Sequence, residues 1–129
     1  MSTFVFNSSD AWLLQTIFHC DKGNGAGLVD LIAFGDYINR SIFTIDEINS
    51  GIRRLMAAEL VYASNERVFC TETANRFFET LRPKKRSLQK ETGLVDLALK
   101  KQFPILAAIS AADFTGKIRF DLAIEKYMR

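Results

Sequence analysis

The stretch "FTIDEINSGIRRLMAAELVYASNERVFCTET", residues 43–73, changes its period halfway along, and that change decides the fold. Thr44 is followed three residues later by Glu47, the spacing of a capping box in which each side chain satisfies the other's free amide. Ile45, Ile48, Ile52, Leu55 and Met56 then recur at helical spacing. The opposite face carries Asp46, Asn49, Ser50, Arg53 and Ala57, with Arg54 at its edge, so the helix has one apolar and one polar side. From Leu60 the period falls to two. "LVYA" and "RVFC" favour strands and "SNE" between them is a compact turn, which together predict a hairpin. "TETANRFFETL" returns to a helical pattern, with Thr71 or Thr73 as its cap.

Working outward, "SSDAWLLQTIFHC" at 8–20 predicts a first helix capped by Ser8, Ser9 or Asp10, with Ala11, Leu14, Ile17 and Phe18 on its buried face. The glycines of "DKGNGAG" end it. A second helix follows in "LVDLIAFGDYINR", with Leu28, Leu31, Ile32, Gly35 and Ile38 on one side. Beyond the hairpin, "RPKKRSLQK" at 82–90 combines a proline with a charge run and reads as a linker or exposed corner. "GLVDLALKKQF" and "IRFDLAIEKYMR" predict two amphipathic helices around the apolar segment 104–112. The expected layout is residues 1–81 as one domain, 82–91 as a basic linker and 92–129 as a helical extension, with a mainly α, α+β fold.

The chain has 129 residues, enough for one domain with a real core. Residues 1–80 hold six Lys/Arg against ten Asp/Glu, a net of −4, whereas residues 81–129 hold eleven against five, a net of +6. An acidic body with a basic tail is what any function must accommodate. Cys20 and Cys70 lie far apart with no Cys-x-x-Cys and no second His, so no metal site is expected, and two isolated thiols suit a reducing cytoplasm, although a single disulfide stays open. The start "MSTFVFNSSD" lacks the basic and long apolar runs of a secretory signal. The longest apolar run, "ILAAISAA", is far short of the ~18 residues of a membrane span. The expectation is a cytoplasmic protein with no membrane partner.

No cluster in the sequence assembles a nucleophile, a base and an oxyanion site, so no enzyme, catalytic residue or cofactor is expected. "GNGAG" at 23–27 follows a helix rather than a strand and lacks the Gly-Lys-Ser/Thr of a phosphate loop, so it reads as a plain loop. His19, Cys20 and Asp21 are consecutive and point in different directions on a helix. Asp46 and Glu47 are explained by capping and the helix dipole. The eleven Phe residues read as core.

Helix, helix, capped helix, hairpin, helix is an order that resembles the winged helix-turn-helix superfamily, which includes MarR-type and PadR-type bacterial regulators. The likeness covers roughly residues 9–80, on "FTIDEINSGIRRLMAAELVY" followed by "VFCTETANRFF". The segment "DYINRSIFTIDEINSGIRRLMAAELV" also resembles small uncharacterised bacterial winged-helix proteins. Within the superfamily the third helix enters the major groove and the wing touches the neighbouring backbone. The resemblance therefore implies a DNA-binding transcriptional regulator in which Asn49, Ser50, Arg53 and Arg54 face double-stranded DNA, Arg67 sits on the wing, and Lys84, Lys85 and Arg86 reach phosphates. Asn suits adenine and Arg suits guanine, each in two places.

A second reading stays open at this point, a winged-helix module that binds a protein rather than DNA. The acidic body, Asp46 at the outward end of the third helix and Glu66 beside Arg67 point that way, because phosphate neutralisation supplies most non-specific affinity for DNA. The apolar faces of the C-terminal helices exceed what the first domain can cover. They imply packing on the first helix or a homodimer.

Overall fold

The computed structural model describes residues 2–81 and 87–129, and among these it has six helices and two small antiparallel sheets. The order is β1 (Thr3–Phe4), α1 (Ser8–Cys20), α2 (Leu28–Asn39), α3 (Ile45–Ala57), β2 (Val61–Ser64), β3 (Arg67–Cys70), α4 (Glu72–Leu81), α5 (Leu88–Gln102), β4 (Leu106–Ala107) and α6 (Lys117–Met128). The fold is mainly helical with a hairpin after α3, as the change of period implies. No helix among the described residues is long and apolar enough to cross a membrane.

The α1 helix is capped by Asn7, one residue before the earliest expected cap. Asn7 accepts from the Asp10 amide, and the Asp10 carboxylate accepts in return from the Asn7 amide at 3.0 Å. Asn is as good a cap as Ser, and only Asn7 has its acidic partner at the third helical position. Rather than burying one face, α1 is buried all round from Asp10 to Ile17, because α2, α3 and α5 all pack on it. This accounts for Gln15 and Thr16, two polar residues with no exposure. Thr16 donates to the Trp12 carbonyl at 2.7 Å, and Gln15 donates to the Leu88 carbonyl and to Glu91, both at 2.9 Å.

The capping box of α3 forms as the sequence implies, with Thr44 and Glu47 satisfying one another at 3.0 and 2.8 Å. Ile48, Ile52 and Leu55 are buried, while Ile45 and Met56 at the ends of the stripe are half-buried. The helix ends at Ala57, and Glu59, with a φ of +60°, turns the chain into β2. The hairpin closes through Asn65 and Glu66, with φ of +51° and +62°, the twist that matches two antiparallel strands. Its register pairs Val61 with Cys70 and Tyr62 with Phe69, whose rings stack at 4.9 Å.

The 21–27 loop is a plain loop that braces the hairpin. Ala26 exchanges both backbone hydrogen bonds with Val68, at 2.7 and 3.0 Å, adding a single bridge to the outer edge of β3. Asp21 accepts from the amides of Gly23, Gly25 and Cys70, each at 2.9 Å. Burial pushes its carboxyl up, but those three donors and the Arg67 charge outweigh this and hold it below the ordinary carboxylate value. Cys20 and Cys70 are free rather than paired. Burial, reinforced by Asp30 at Cys20 and by Asp21 at Cys70, pushes their thiols up to about 11 and about 12.

The C-terminal segment is built into the body. The α5 helix begins at Leu88 behind a Ser87 cap, inside the stretch expected to be a linker, and buries Val95 and Leu99 while packing along α1. The chain then forms β4, which pairs with β1 near the N-terminus, and runs without regular structure from Ala108 to Gly116. The α6 helix packs on α2, where the Tyr127 hydroxyl donates to Asp36.

Candidate nucleic-acid interface

The residues that the sequence places on the reading face fall into distinct environments. Asn49 is 8% exposed although it lies on the polar side of α3, because the irregular segment before α6 crosses over it. Its Nδ2 donates to the Thr115 carbonyl at 2.8 Å, and its Oδ1 accepts from the Thr115 amide at 2.9 Å. Thr115 is 1% exposed, so both bonds are sheltered from water. One turn further along, Arg53 donates from Nε to the Ala111 carbonyl at 3.3 Å and from Nη2 to Asp113 at 2.6 Å. Ser50 is half-buried and lines a cleft with Phe4, Arg53, Arg54, Ala108 and Ile109.

Arg54, at the edge of the same cleft, is held by α1. Its Nε and Nη2 donate to the two oxygens of Asp10 at 2.9 and 2.8 Å, a two-pronged pair that fits the planar guanidinium to the carboxylate. Asp10 has no exposure, so Arg54 is its compensating charge and serves the fold. Gly51 lies beside this pair. A Cβ there would sit 2.6 Å from Leu13 Cδ2, so any side chain would have to displace Leu13 where α3 approaches α1 and brings Arg54 to Asp10.

On the hairpin, Arg67 donates to the carbonyls of Asn24 at 2.8 Å and Gly25 at 2.9 Å, tying β3 to the 21–27 loop. Glu66 at the hairpin tip pairs with Arg119 of α6 at 3.1 Å. Lys84, Lys85 and Arg86 lie outside the described residues. The structure thus gathers Asn49, Ser50 and Arg53 on one face of α3, commits the Arg54 guanidinium at the edge of the same cleft to Asp10, and holds Arg67 against its own loop.

Sequence reasoning missed the residues that face Asn49 and Arg53. Thr115 and Ala111 engage through backbone groups that every residue possesses, so no side-chain pattern marks them. Asp113 stands alone in "AADFTGK" and has no helical or strand period around it. Comparison with protein-family models, curated proteins and solved structures gives no match for this chain.

Proposed function

We propose that this chain is a winged-helix protein that binds double-stranded DNA, with α3 as the helix that enters the major groove and β2–β3 as the wing, acting as a transcriptional regulator. The observation that carries this reading is the convergence of Asn49, Ser50 and Arg53 on one side of a helix that directly precedes a two-stranded hairpin. Asn and Arg are the side chains best able to make paired hydrogen bonds to adenine and guanine edges. Arg53 can exchange its partner readily, because the Asp113 side chain is 61% exposed and an exposed ion pair contributes little. Arg54 drops out as a direct contact, since it compensates buried Asp10. Arg67 is left with the supporting task of holding the wing on the loop, and Lys84, Lys85 and Arg86 supply positive charge to the neighbouring backbone. Leu97, Ile118 and Leu122 stay exposed on the C-terminal helices, which supports a homodimer through them.

A second reading, a module that binds protein through the same face, is favoured by one observation: Asn49 already holds a peptide group. Fluorescence anisotropy of a labelled random duplex separates the two. With ~4 phosphates neutralised, the log–log salt slope is about −3 to −4. Absence of any association at low salt would remove the DNA reading.

A further inference from the structure

The segment over α3 engages the very groups that the proposed function assigns to DNA, and it does so with DNA-like chemistry. Adenine presents in the major groove a hydrogen-bond acceptor at N7 beside a donor at N6, and Asn meets them with its amide nitrogen and oxygen. The main chain of Thr115 offers Asn49 the same pair: a carbonyl that accepts from Nδ2 at 2.8 Å and an amide that donates to Oδ1 at 2.9 Å. Arg53 meets a carbonyl and a carboxylate, Ala111 and Asp113, two acceptors of the kind a base edge and a phosphate provide. Through Arg119 of α6 the segment is also linked to the hairpin. Arg119 donates to the Phe114 carbonyl at 3.1 Å and pairs with Glu66 at the tip.

We propose that residues 108–116 form an autoinhibitory strap that occupies the reading face of α3 in place of DNA, so that duplex binding requires the strap to lift. This inference rests on the DNA reading above. The strap is suited to opening. Only Thr115 within it is fully buried, and the stretch from Ala108 to Asp113 has no helix or strand. Its ends are held independently, by the Ala108 amide on the Ser2 carbonyl at 3.0 Å and by the packing of α6 on α2. Segments with little buried apolar surface and few internal backbone bonds open at low cost compared with the core they cover. A closed strap lowers the apparent affinity by the fraction of molecules that are open.

The test is a full-length variant carrying Thr115→Pro and Asp113→Ala, which removes the amide that Asn49 accepts from and the carboxylate that Arg53 holds, and leaves both α3 side chains intact. Two readouts are taken against the wild type: backbone hydrogen exchange of residues 108–116, and anisotropy of a labelled random duplex at low salt. The strap should exchange faster and the dissociation constant should fall tenfold or more. Faster exchange with an unchanged dissociation constant would overturn the strap as an inhibitor and leave the DNA reading standing. If neither protein binds the duplex although the strap exchanges faster, the DNA reading fails and takes the inhibitory role with it. Should the double variant not fold, Asp113→Ala alone replaces it, because that side chain is largely exposed. A gain of about threefold supports the strap, and an affinity equal to wild type overturns it.

Discussion

Replacing Arg54 with Ala should destabilise the protein far more than replacing Arg53, although the two are neighbours on the same helix. Removal of Arg54 takes two of the three donors from the Asp10 carboxylate, leaving only the Asn7 amide at 3.0 Å. Asp10 has no exposure, so the charge left behind cannot be rehydrated without disrupting the start of α1. Breaking a buried pair from one side costs ~3–5 kcal/mol. The Arg54 side chain is 25% exposed and its loss opens a path for water, which brings the expected cost to about 3 kcal/mol. Against a total of ~5–15 kcal/mol this is a large fraction, and it corresponds to a melting shift of ~10–15 °C for a domain of this size. Arg53→Ala breaks an exposed pair with Asp113 and one long bond to a carbonyl, for about 1 kcal/mol or less. Urea unfolding followed by tryptophan fluorescence reports both, since Trp12 is buried at the centre of α1. An Arg54→Ala loss no greater than that of Arg53→Ala would refute the assignment of Arg54 to the fold.

Other consequences are equally specific. At Gly35 an added Cβ would lie 2.3 Å from Phe43 Cε2, and that ring is stacked on Trp12 at 3.7 Å. Gly35→Ala should therefore cost ~2 kcal/mol in urea unfolding despite its better helix propensity, with partial recovery when Phe43→Leu is added. Asp21→Asn removes a carboxylate that serves three amides and should cost ~2 kcal/mol at pH 7. Because the Asp21 carboxyl is held below its unfolded value of 3.8, its contribution is complete above that value and is lost as pH falls through the lower folded one. The wild-type advantage over Asp21→Asn should accordingly shrink below about pH 4 in melts taken across the acid range. Cys20 and Cys70, with thiols raised to about 11 and about 12, should react with iodoacetamide at pH 7.5 much more slowly than a free thiol, as mass spectrometry can follow. Rapid alkylation of either in the native protein would contradict their burial.

The parts of the fold that were legible in the sequence are those with local causes. The α3 capping box, its apolar stripe and the switch to period two depend on residues within a few positions of one another, and all appear where the pattern puts them. The all-round burial of α1 was not legible, because it depends on α5, whose Glu91 and Leu88 meet Gln15 from more than seventy positions away. The start of α5 inside the expected linker reflects the Ser87 cap, a signal masked by the surrounding charge run. At the candidate interface the polar face of α3 was readable from its period, but its occupation was not. Thr115 acts through its backbone, and Arg54 and Asp10 are joined across 44 positions with nothing local to mark the pair.

The most direct test of the account is hydrogen exchange of the wild-type protein with and without a saturating labelled duplex at low salt. If DNA takes the face now held by the strap, exchange should rise across residues 108–116 and fall across α3. Duplex binding that leaves the strap and α3 unchanged would place DNA elsewhere on the molecule and contradict the role given to Asn49 and Arg53.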